Sequence, residues 1–314
     1  MIQKKIENCT YLRLIKDSLF CDIEGVCYMN WKKTGIPPDT ILFSYNNRIF
    51  YYNNYFLNEV LESSEVILKK FKYEPSSYIE PIRDYFLVFN RISRKEKNYR
   101  LINQEKKVLW LDDKNWGYKV FQDDLYLIEN SKIANINLET TETLWHYTLP
   151  EGFKIFGSVQ AIDSILFFSC VDANLRNSKL ISLKEKTGEV LWELENLIDF
   201  QIDYKHKLLR GYQGAYYQVI DPFAGQLLVN KNLKELWDKG IDPDAVRNTI
   251  TEDKLWFVSG RGKNTKFGAI DLETSEIDFI QDFPLENDGQ LDKPVFHQNK
   301  FYLRDTNNVL YVLE

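Results

Sequence analysis

The sequence predicts an all-β protein built from one repeated unit, and three observations support this prediction. Residues 130–145, NSKIANINLETTETLW, return in altered form at 177–192 as NSKLISLKEKTGEVLW. The 314 residues include 20 Phe, 19 Tyr and 7 Trp against only 2 Met, a composition that suits half-buried sheets better than helix interiors. Short apolar segments also come in pairs before each copy. We therefore expect one hairpin after another along the chain.

Each copy of the repeat has a strand, a polar turn and a second strand that ends in a large anchor residue. Further copies lie at 214–229 and 264–279, with looser ones at 55–68 and 99–110. The anchors, 35 to 50 residues apart, are Leu68, Trp110, Trp145, Trp192, Val229 and Phe279. Because another strand pair precedes each hairpin, each repeat is predicted to be a four-stranded antiparallel sheet with strands a, b, c and d. Such a unit recurring about every 40 residues is typical of a β-propeller blade.

The two ends of the chain predict how the last blade is completed. Residues 307–314, NNVLYVLE, form a c strand with no d strand after it, and 1–7, MIQKKIE, form an isolated strand. Pairing them would remove free sheet edges. We predict a single β-propeller domain over 1–314 with seven blades, and with six or eight as alternatives. Residues 1–9 would be the closing strand, 10–39 an irregular first segment that could also be a degenerate blade, and 40–314 the repeat blades.

The hairpins resemble the quinoprotein-like (PQQ-type repeat) β-propeller superfamily, whose repeat is Ala-x-Asp-x-x-Thr-Gly-x-x-x-Trp. The matching residues, which lie in three copies, are Ala269, Asp271 and Thr274, then Thr187, Gly188 and Trp192, then Asp221 and Gly225. The resemblance covers about 40–314 and implies that Gly supplies the positive φ of the turn while Asp and Thr hydrogen-bond its backbone. Enzymes of this family bind pyrroloquinoline quinone and calcium. This chain lacks the adjacent Cys-Cys pair of several of them, so no cofactor is expected.

Other chemistry-bearing residues form no recognisable catalytic set. Cys9, Cys21, Cys27 and Cys170 contain no Cys-x-x-Cys pair and are expected to be buried thiols. The three histidines, at positions 146, 206 and 297, are too dispersed to predict a metal site. Residues 260–265, GRGKNT, lack the spacing of a phosphate-binding loop and are expected to join two strands. These observations predict a protein that is not an enzyme.

Charge and hydropathy restrict the location and the partners. The formal net charge of −6 disfavours nucleic acid and anionic membranes as the main partner. The N-terminal residues carry no continuous apolar stretch of the kind found in signal peptides, and the longest apolar run, at 165–171, is too short to span a bilayer. We therefore expect a cytoplasmic, monomeric protein.

Loop lengths predict where a partner binds. In an a, b, c, d blade the b–c loops and d–a connections emerge at one end, and here they are longer than the other turns. The b–c loops contribute Arg91, Arg94, Lys95, Arg176, Arg261 and Lys263, and the d–a connections contribute Trp237, Asp238, Asp242, Asp244, Asp282, Glu286 and Asp288. Segregated charges of this kind suit orientation of a protein partner, and Trp237 is predicted to be either its hot spot or an axial plug.

The sequence therefore predicts a protein-binding propeller scaffold without catalytic activity. Its narrower form is a bacterial immunity protein that binds a toxin through the long-loop face. The alternative is a cytosolic propeller that binds carbohydrate or another small ligand, or a glycan-active enzyme. The identity of the partner does not follow from the sequence.

Overall fold

The structure is a computed structural model. It describes residues 2–15, 17–37, 41–45, 48–53, 56–60, 71–72, 77–83, 85–91, 97–103, 108–112, 117–121, 124–197, 200–213, 216–241 and 247–314. These residues form eight four-stranded antiparallel sheets, which we number as blades 1 to 8. They also contain helix α1 (Lys234–Asp238) and a 3-10 turn at Gly262–Asn264.

The strands of the first half follow one another in chain order. Strand β1 spans Ile2–Ile6. Blade 1 contains β2 (Cys9–Ile15), β3 (Ser18–Ile23), β4 (Val26–Met29) and β5 (Lys32–Lys33). Blade 2 contains β6 (Ile41–Tyr45), β7 (Arg48–Asn53), β8 (Phe56–Val60) and β9 (Phe71–Lys72). Blade 3 contains β10 (Ser77–Ile82), β11 (Tyr85–Arg91), β12 (Lys97–Asn103) and β13 (Val108–Asp112). Blade 4 contains β14 (Gly117–Phe121), β15 (Asp124–Glu129), β16 (Lys132–Ile136) and β17 (Thr143–Thr148).

The second half repeats this pattern until the last sheet. Blade 5 contains β18 (Phe153–Ile162), β19 (Ile165–Asp172), β20 (Ser178–Lys184) and β21 (Val190–Glu195). Blade 6 contains β22 (Phe200–Asp203), β23 (Leu208–Gln213), β24 (Tyr216–Asp221) and β25 (Gln226–Asn232). Blade 7 contains β26 (Asn248–Thr251), β27 (Lys254–Ser259), β28 (Lys266–Asp271) and β29 (Ile277–Asp282). Blade 8 contains β30 (Val295–His297), β31 (Lys300–Arg304), β32 (Leu310–Leu313) and, from the other end of the chain, β1.

The chain forms two compact units. The central unit comprises Tyr73–Gln213 and Gln218–Asn230, which hold blades 3 to 5 and most of blade 6. The terminal unit comprises Met1–Lys72, Gly214–Tyr217 and Lys231–Glu314, which hold blades 1, 2, 7 and 8.

Position within a sheet determines how deeply a strand is buried. In blade 5 the second strand, β19, is buried along almost its whole length, whereas the outer strand β21 is largely exposed. The continuous apolar sequence of β19, ILFFSCV, is therefore that of a strand covered on both faces. The outer strand alternates partly buried and exposed residues because only one of its faces packs against a neighbour.

In the central unit, an indole ring from one blade packs over a glycine of the next. A Cβ atom added to Gly188 would lie 2.3 Å from the ring of Trp145, and one added to Gly225 would lie 2.4 Å from that of Trp192. The Trp145 Nε1–H donates to the Glu185 carbonyl at 3.1 Å, and the Trp192 Nε1–H donates to the Pro222 carbonyl at 2.8 Å. Both acceptors precede their glycine by three residues, so the two interfaces repeat one geometry.

The c–d turns are held by the short polar side chains that the repeat predicts. The Asp271 carboxylate accepts hydrogen bonds from the Thr274 N–H at 2.8 Å and from the Thr274 hydroxyl at 2.9 Å. These bonds hold the pKa of Asp271 below its usual value. Asp221 Oδ1 accepts from the Phe223 N–H at 2.8 Å, and Asn137 Oδ1 accepts from the Glu139 N–H at 2.8 Å. An Asx side chain therefore stabilises this turn in blades 4, 6 and 7.

The first strands of successive blades are also joined by side-chain hydrogen bonds. The Gln160 amide on β18 donates to the Phe200 carbonyl at 2.6 Å, which links blade 5 to blade 6. The Thr249 hydroxyl on β26 donates to the Pro294 carbonyl at 2.6 Å, which links blade 7 to blade 8. Each bond satisfies a backbone carbonyl at or just before the first strand of the next blade.

The predicted pairing of the two chain ends is confirmed. Strand β1 lies antiparallel to β32, with Ile2 opposite Leu313 and Ile6 opposite Leu310. The N-terminal strand is thus the outer strand of blade 8, as the unpaired last hairpin of the sequence predicts.

The first segment matches the alternative prediction. The sequence favours an irregular stretch over 10–39 and seven blades, with eight as an alternative in which this stretch contributes a degenerate blade. Strands β2 to β5 form a sheet of their own, so the described residues contain eight. The repeat pattern fails here because β5 has two residues and because its turn contains neither glycine nor the usual anchor. Asn30 and Trp31 close the turn instead, with φ of 48° and 66°. The Trp31 ring lies 5.7 Å from that of Tyr302 in blade 8. In blade 1 the indole that contacts a neighbouring blade therefore comes from the turn and not from the last strand.

Deletion of residues 1–7 should lower the melting temperature by at least several degrees or abolish folding. Blade 8 would lose its outer strand and expose the edge of β32, and even about 1 kcal/mol is a sizeable fraction of the free energy of unfolding. Thermal unfolding followed by circular dichroism measures this. Lys5→Ala is the control because it removes only an exposed ion pair with Glu286. An unchanged melting temperature in the deletion variant would contradict the structural role of β1.

Substitution of Gly188 by alanine should destabilise the protein by about 2–4 kcal/mol, since the added methyl group collides with Trp145 and Gly188 has a φ of +68°. Gly152→Ala is the matched control, because Gly152 also has positive φ, +86°, but no atom lies within 4 Å of its Cβ position. Gly152→Ala should lower the free energy of unfolding only by the backbone strain, about 1 kcal/mol. Chemical denaturation of both variants measures the difference, and equal losses would show that the indole contact contributes little.

Candidate functional site: a loop cluster in the terminal unit

Three loops of blades 7 and 8 meet in one hydrogen-bonded assembly. We call these loops, with the strand ends that flank the first two, the loop cluster: residues 260–266, 282–294 and 305–309. The Gly262 N–H donates to the Gly289 carbonyl at 2.7 Å, and the Leu285 N–H donates to the Gly262 carbonyl at 3.0 Å. Gln290 and Thr306 exchange two hydrogen bonds, of 3.1 Å and 2.9 Å. Because these bonds connect all three loops, the cluster is held in one conformation.

Two glycines permit this close approach. A Cβ atom on Gly289 would lie 2.4 Å from the Asn307 side-chain amide, and one on Gly260 would lie 2.4 Å from the Asn264 carbonyl oxygen. The amide of Gly262 is already bound to Gly289. The GRGKNT segment therefore joins β27 to β28, as predicted, and uses this amide internally instead of offering it to a phosphate.

Apolar residues anchor the connection from blade 7 to blade 8. Phe283, Leu285 and Leu291 are buried in the core that includes Trp256 and Tyr311. The Phe283 and Tyr311 rings meet edge to face at 5.3 Å. Between these anchors, the acidic residues Glu286 and Asp288 are exposed.

The exposed charges of the cluster are paired locally. Arg261 Nε lies 3.4 Å from Asp288 Oδ1, and its Nη2 donates to the Asp288 carbonyl at 3.1 Å. Glu286 pairs with Lys5 at 2.9 Å, and Asp282 pairs with Lys266. The basic and acidic groups that the sequence predicts as separate sets are therefore interleaved. Surface pairs of this kind contribute only about 0–1 kcal/mol, so an incoming partner can exchange them at little cost.

The remaining predicted site residues do not all lie in the loop cluster. Lys263 is exposed within the loop cluster, and Asp238 is exposed on α1. Arg176 is exposed in the central unit. Arg91 ends β11. The predicted residues that lie outside the described part of the chain are Arg94, Lys95, Asp242 and Asp244.

The Trp237 indole lies at the surface of the terminal unit. It retains 45% exposure, whereas Leu233 and Ile241 on either side of the helix are buried. The Ile241 N–H donates to the Leu236 carbonyl at 2.8 Å and closes the helix end. The helix is thus anchored by Leu233 and Ile241, and the two predicted roles of Trp237, as a hot spot or as an axial plug, both stay predictions.

Arg176 lies in a loop of the central unit that one carboxylate organises. Asp172 Oδ1 accepts from the backbone N–H groups of Asn174 and Arg176, at 3.1 Å and 2.9 Å. Asp172 Oδ2 accepts from the Asn177 side chain at 2.6 Å. These hydrogen bonds, that from the Arg176 backbone foremost, hold the pKa of Asp172 below its usual range. They present Leu175 at 65% exposure at the tip of the loop.

A charged group that the sequence analysis missed lies in the first hairpin of blade 6. Asp203 and Arg210 are buried and joined at 2.8 Å, and His206 Nδ1 lies 2.8 Å from the same carboxylate oxygen. Burial raises the pKa of Asp203, but the hydrogen bonds from Arg210 and His206 lower it further, so that it lies below its usual value. The only sequence signal was an Asp and an Arg seven residues apart, which is too common to single out.

The cysteines form neither disulfides nor a metal site in the described part of the chain. Cys9, Cys21, Cys27 and Cys170 are buried and unpaired, as predicted, and burial raises the pKa of Cys9 and Cys170 to about 11. In the described ranges no three His, Cys, Asp or Glu side chains are arranged to hold a metal ion. The helix described in this structure is not long and apolar enough to cross a membrane.

Comparisons with known proteins identify the fold. No family model matches the chain, and no curated protein matches it either. Among solved structures, BamB from Moraxella catarrhalis is similar with a TM-score of 0.62 and 11% identity, covering 99% of this chain and 96% of that one. The C-terminal WD40 domain of Sif2 is similar with a TM-score of 0.63 and 11% identity, covering 99% and 97%. The fold is that of a β-propeller.

One neighbour corrects the prediction that the chain is not an enzyme. Dihydro-heme d1 dehydrogenase NirN is similar with a TM-score of 0.55 and 10% identity, covering 87% of this chain and 66% of that one. Since the same fold carries an enzyme there, the lack of a familiar catalytic motif does not exclude activity. The prediction of a non-enzyme is therefore wrong as a conclusion from the sequence.

Substitution of Asp203 by asparagine should cost about 3–5 kcal/mol, because Arg210 loses the buried carboxylate that balances its charge. The lowered pKa of Asp203 means that its contribution is present above the unfolded-state pKa, about 3.9, and is lost as the pH falls through the folded-state value. Urea denaturation of wild type between pH 7 and pH 3 should therefore show an acid-dependent loss of stability that is smaller in Asp203→Asn. Lys207→Ala, which breaks the exposed pair with Asp163 in the same hairpin, should cost less than about 1 kcal/mol. Parallel pH profiles for wild type and Asp203→Asn would contradict this role.

Proposed function

We propose that this β-propeller binds another protein through the loop cluster, and that it serves as a bacterial immunity protein that captures a toxin in the cytoplasm. The observation that carries the proposal is the loop cluster itself. Its backbone is fixed by hydrogen bonds between three loops, while its charged side chains remain exposed. Asp282, Glu286 and Asp288 are 74%, 77% and 84% exposed.

A fixed backbone with exchangeable surface charges suits protein recognition. Binding costs less conformational entropy when the loops are already ordered. Interleaved charges of both signs orient a complementary protein surface and accelerate its capture. The acidic members of the set would repel the phosphates of a nucleic acid, which supports a protein as the partner.

We also propose that the blades belong to the quinoprotein-like repeat type. The docking of Trp145 and Trp192 over Gly188 and Gly225 supports this assignment, as does the Asx-stabilised turn at Asp271. The assignment concerns ancestry and predicts no quinone cofactor, because the chain lacks the adjacent cysteines found in several enzymes of that family.

The immunity role is tested by co-expression with each neighbouring gene that is toxic when expressed alone. Wild type should restore growth with one of these genes, and the purified pair should form a stoichiometric complex. The informative variant exchanges the charges of one pair, Arg261→Asp with Asp288→Arg, so that the internal pair is retained while its polarity is reversed. We expect at least a tenfold loss of affinity by calorimetry without a change in melting temperature, because the partner's charges now meet like charges.

A matched exchange of Lys254 and Asp278, a 2.8 Å pair on β27 and β29 outside the cluster, should leave affinity unchanged. Trp237→Ala tests a second contact with the partner. Loss of this exposed indole should weaken binding without altering stability. If no neighbouring gene is toxic, the immunity role is wrong. If a complex forms and its affinity is unchanged by the exchange of Arg261 and Asp288, the loop cluster is not its contact surface.

A further inference from the structure

The outer strand of blade 6 exposes an apolar edge. Leu227 and Leu228 on β25 are 37% and 48% exposed, and Phe223 in the preceding turn is 45% exposed. Strand β25 is the last in the strand order of its sheet, so one side of its backbone has no neighbouring strand there. An exposed apolar edge is a template for pairing with another strand.

Neighbouring outer strands carry the charges that normally prevent such pairing. Strand β21 bears Glu193 and Glu195, and β29 bears Asp278 and Asp282. The first five residues of β25, Gln226–Asn230, contain no charge and no proline. Lys231, the one charged residue of β25, is engaged with Glu276. The edge of β25 therefore lacks the protection found on the outer strands of blades 5 and 7.

The sequence of this edge is complementary to itself. If two copies of β25 pair antiparallel about Leu228, Leu227 faces Val229 of the other copy and Gln226 faces Asn230 of the other copy. Apolar residues then meet apolar residues, and amides meet amides, with no like charges opposed. The same operation on β21 about Trp192 would place Leu191 opposite Glu193. Self-complementarity of this kind is the requirement for a two-fold symmetric interface.

The apolar surface continues onto blade 5. The Trp192 indole is bonded to the Pro222 carbonyl next to Phe223, which brings the start of β21 beside the turn of blade 6. Val190 and Leu191 at that start are 39% and 42% exposed. The rim of the central unit thus offers an apolar patch that extends beyond β25 onto β21.

We propose that a second copy of this chain pairs along β25 and forms a two-fold symmetric dimer with a sheet that continues across the interface. This assembly replaces the monomer expected from the sequence. It is independent of the loop cluster, because Gln226–Asn230 belongs to the central unit and the cluster to the terminal unit.

Sedimentation velocity over a range of protein concentrations tests the proposal. Wild type should show a species of twice the chain mass, and Leu228→Lys should shift it to the single-chain mass by placing two ammonium groups opposite each other. The matched control is Leu144→Lys, since Leu144 is a 59% exposed leucine on the outer strand of blade 4. This control should remain dimeric if pairing is specific to β25.

Amide hydrogen exchange provides a second readout. Residues 226–230 should exchange more slowly as the wild-type concentration rises, and this dependence should vanish in Leu228→Lys. Circular dichroism melts establish that both variants are folded. A wild type that remains monomeric at about 100 µM, or a dimer that Leu144→Lys disrupts as strongly as Leu228→Lys, overturns the proposal.

Discussion

The contact between an indole ring and a left-handed glycine is the constraint on which the central unit depends. Trp145 and Trp192 each need a turn without a side chain at one position, and Gly188 and Gly225 provide it. The same indoles donate to a carbonyl three residues earlier, so each ring fixes both the spacing and the rotation of the next blade. Blades 4 to 6, which share this geometry, can therefore differ in most other residues and still pack in the same way.

The fold could be predicted wherever the repeat retained its turn chemistry. Asp271, Thr274 and the glycines mark turns through local hydrogen bonds and backbone conformation, which are readable from sequence because they act over a few residues. Blade 1 was predicted only as an alternative, since Asn30 and Trp31 close its last turn with left-handed backbones that glycine usually provides. A bulky residue in that conformation is uncommon, so no sequence pattern anticipates it.

The position of the long loops could be predicted from the sequence, whereas the pairing of their charges could not. Loop length singled out Arg261, Glu286 and Asp288. However, basic and acidic residues that lie in different loops along the chain can still be close in space. The connection after blade 7 folds back onto the preceding loop, which brings Arg261 and Asp288 together. The buried pair of Asp203 and Arg210 was missed for the same reason, because burial of a charge depends on neighbouring strands that the local sequence does not specify.

The pairing of β1 with β32 determines the order in which the molecule can be completed during synthesis. Strand β1 is synthesised before the strands of blades 1 to 7, whereas its partner residues, Leu310–Leu313, follow all of them. Until Leu310–Leu313 are made, Ile2–Ile6 have no sheet to join, while the hairpins of blades 3 to 6 can form from sequence neighbours. Contacts of such high sequence separation slow folding. Closure of blade 8 is therefore a late step, during which the edge of β1 depends on its lysines, Lys4 and Lys5, to avoid pairing with the wrong strand.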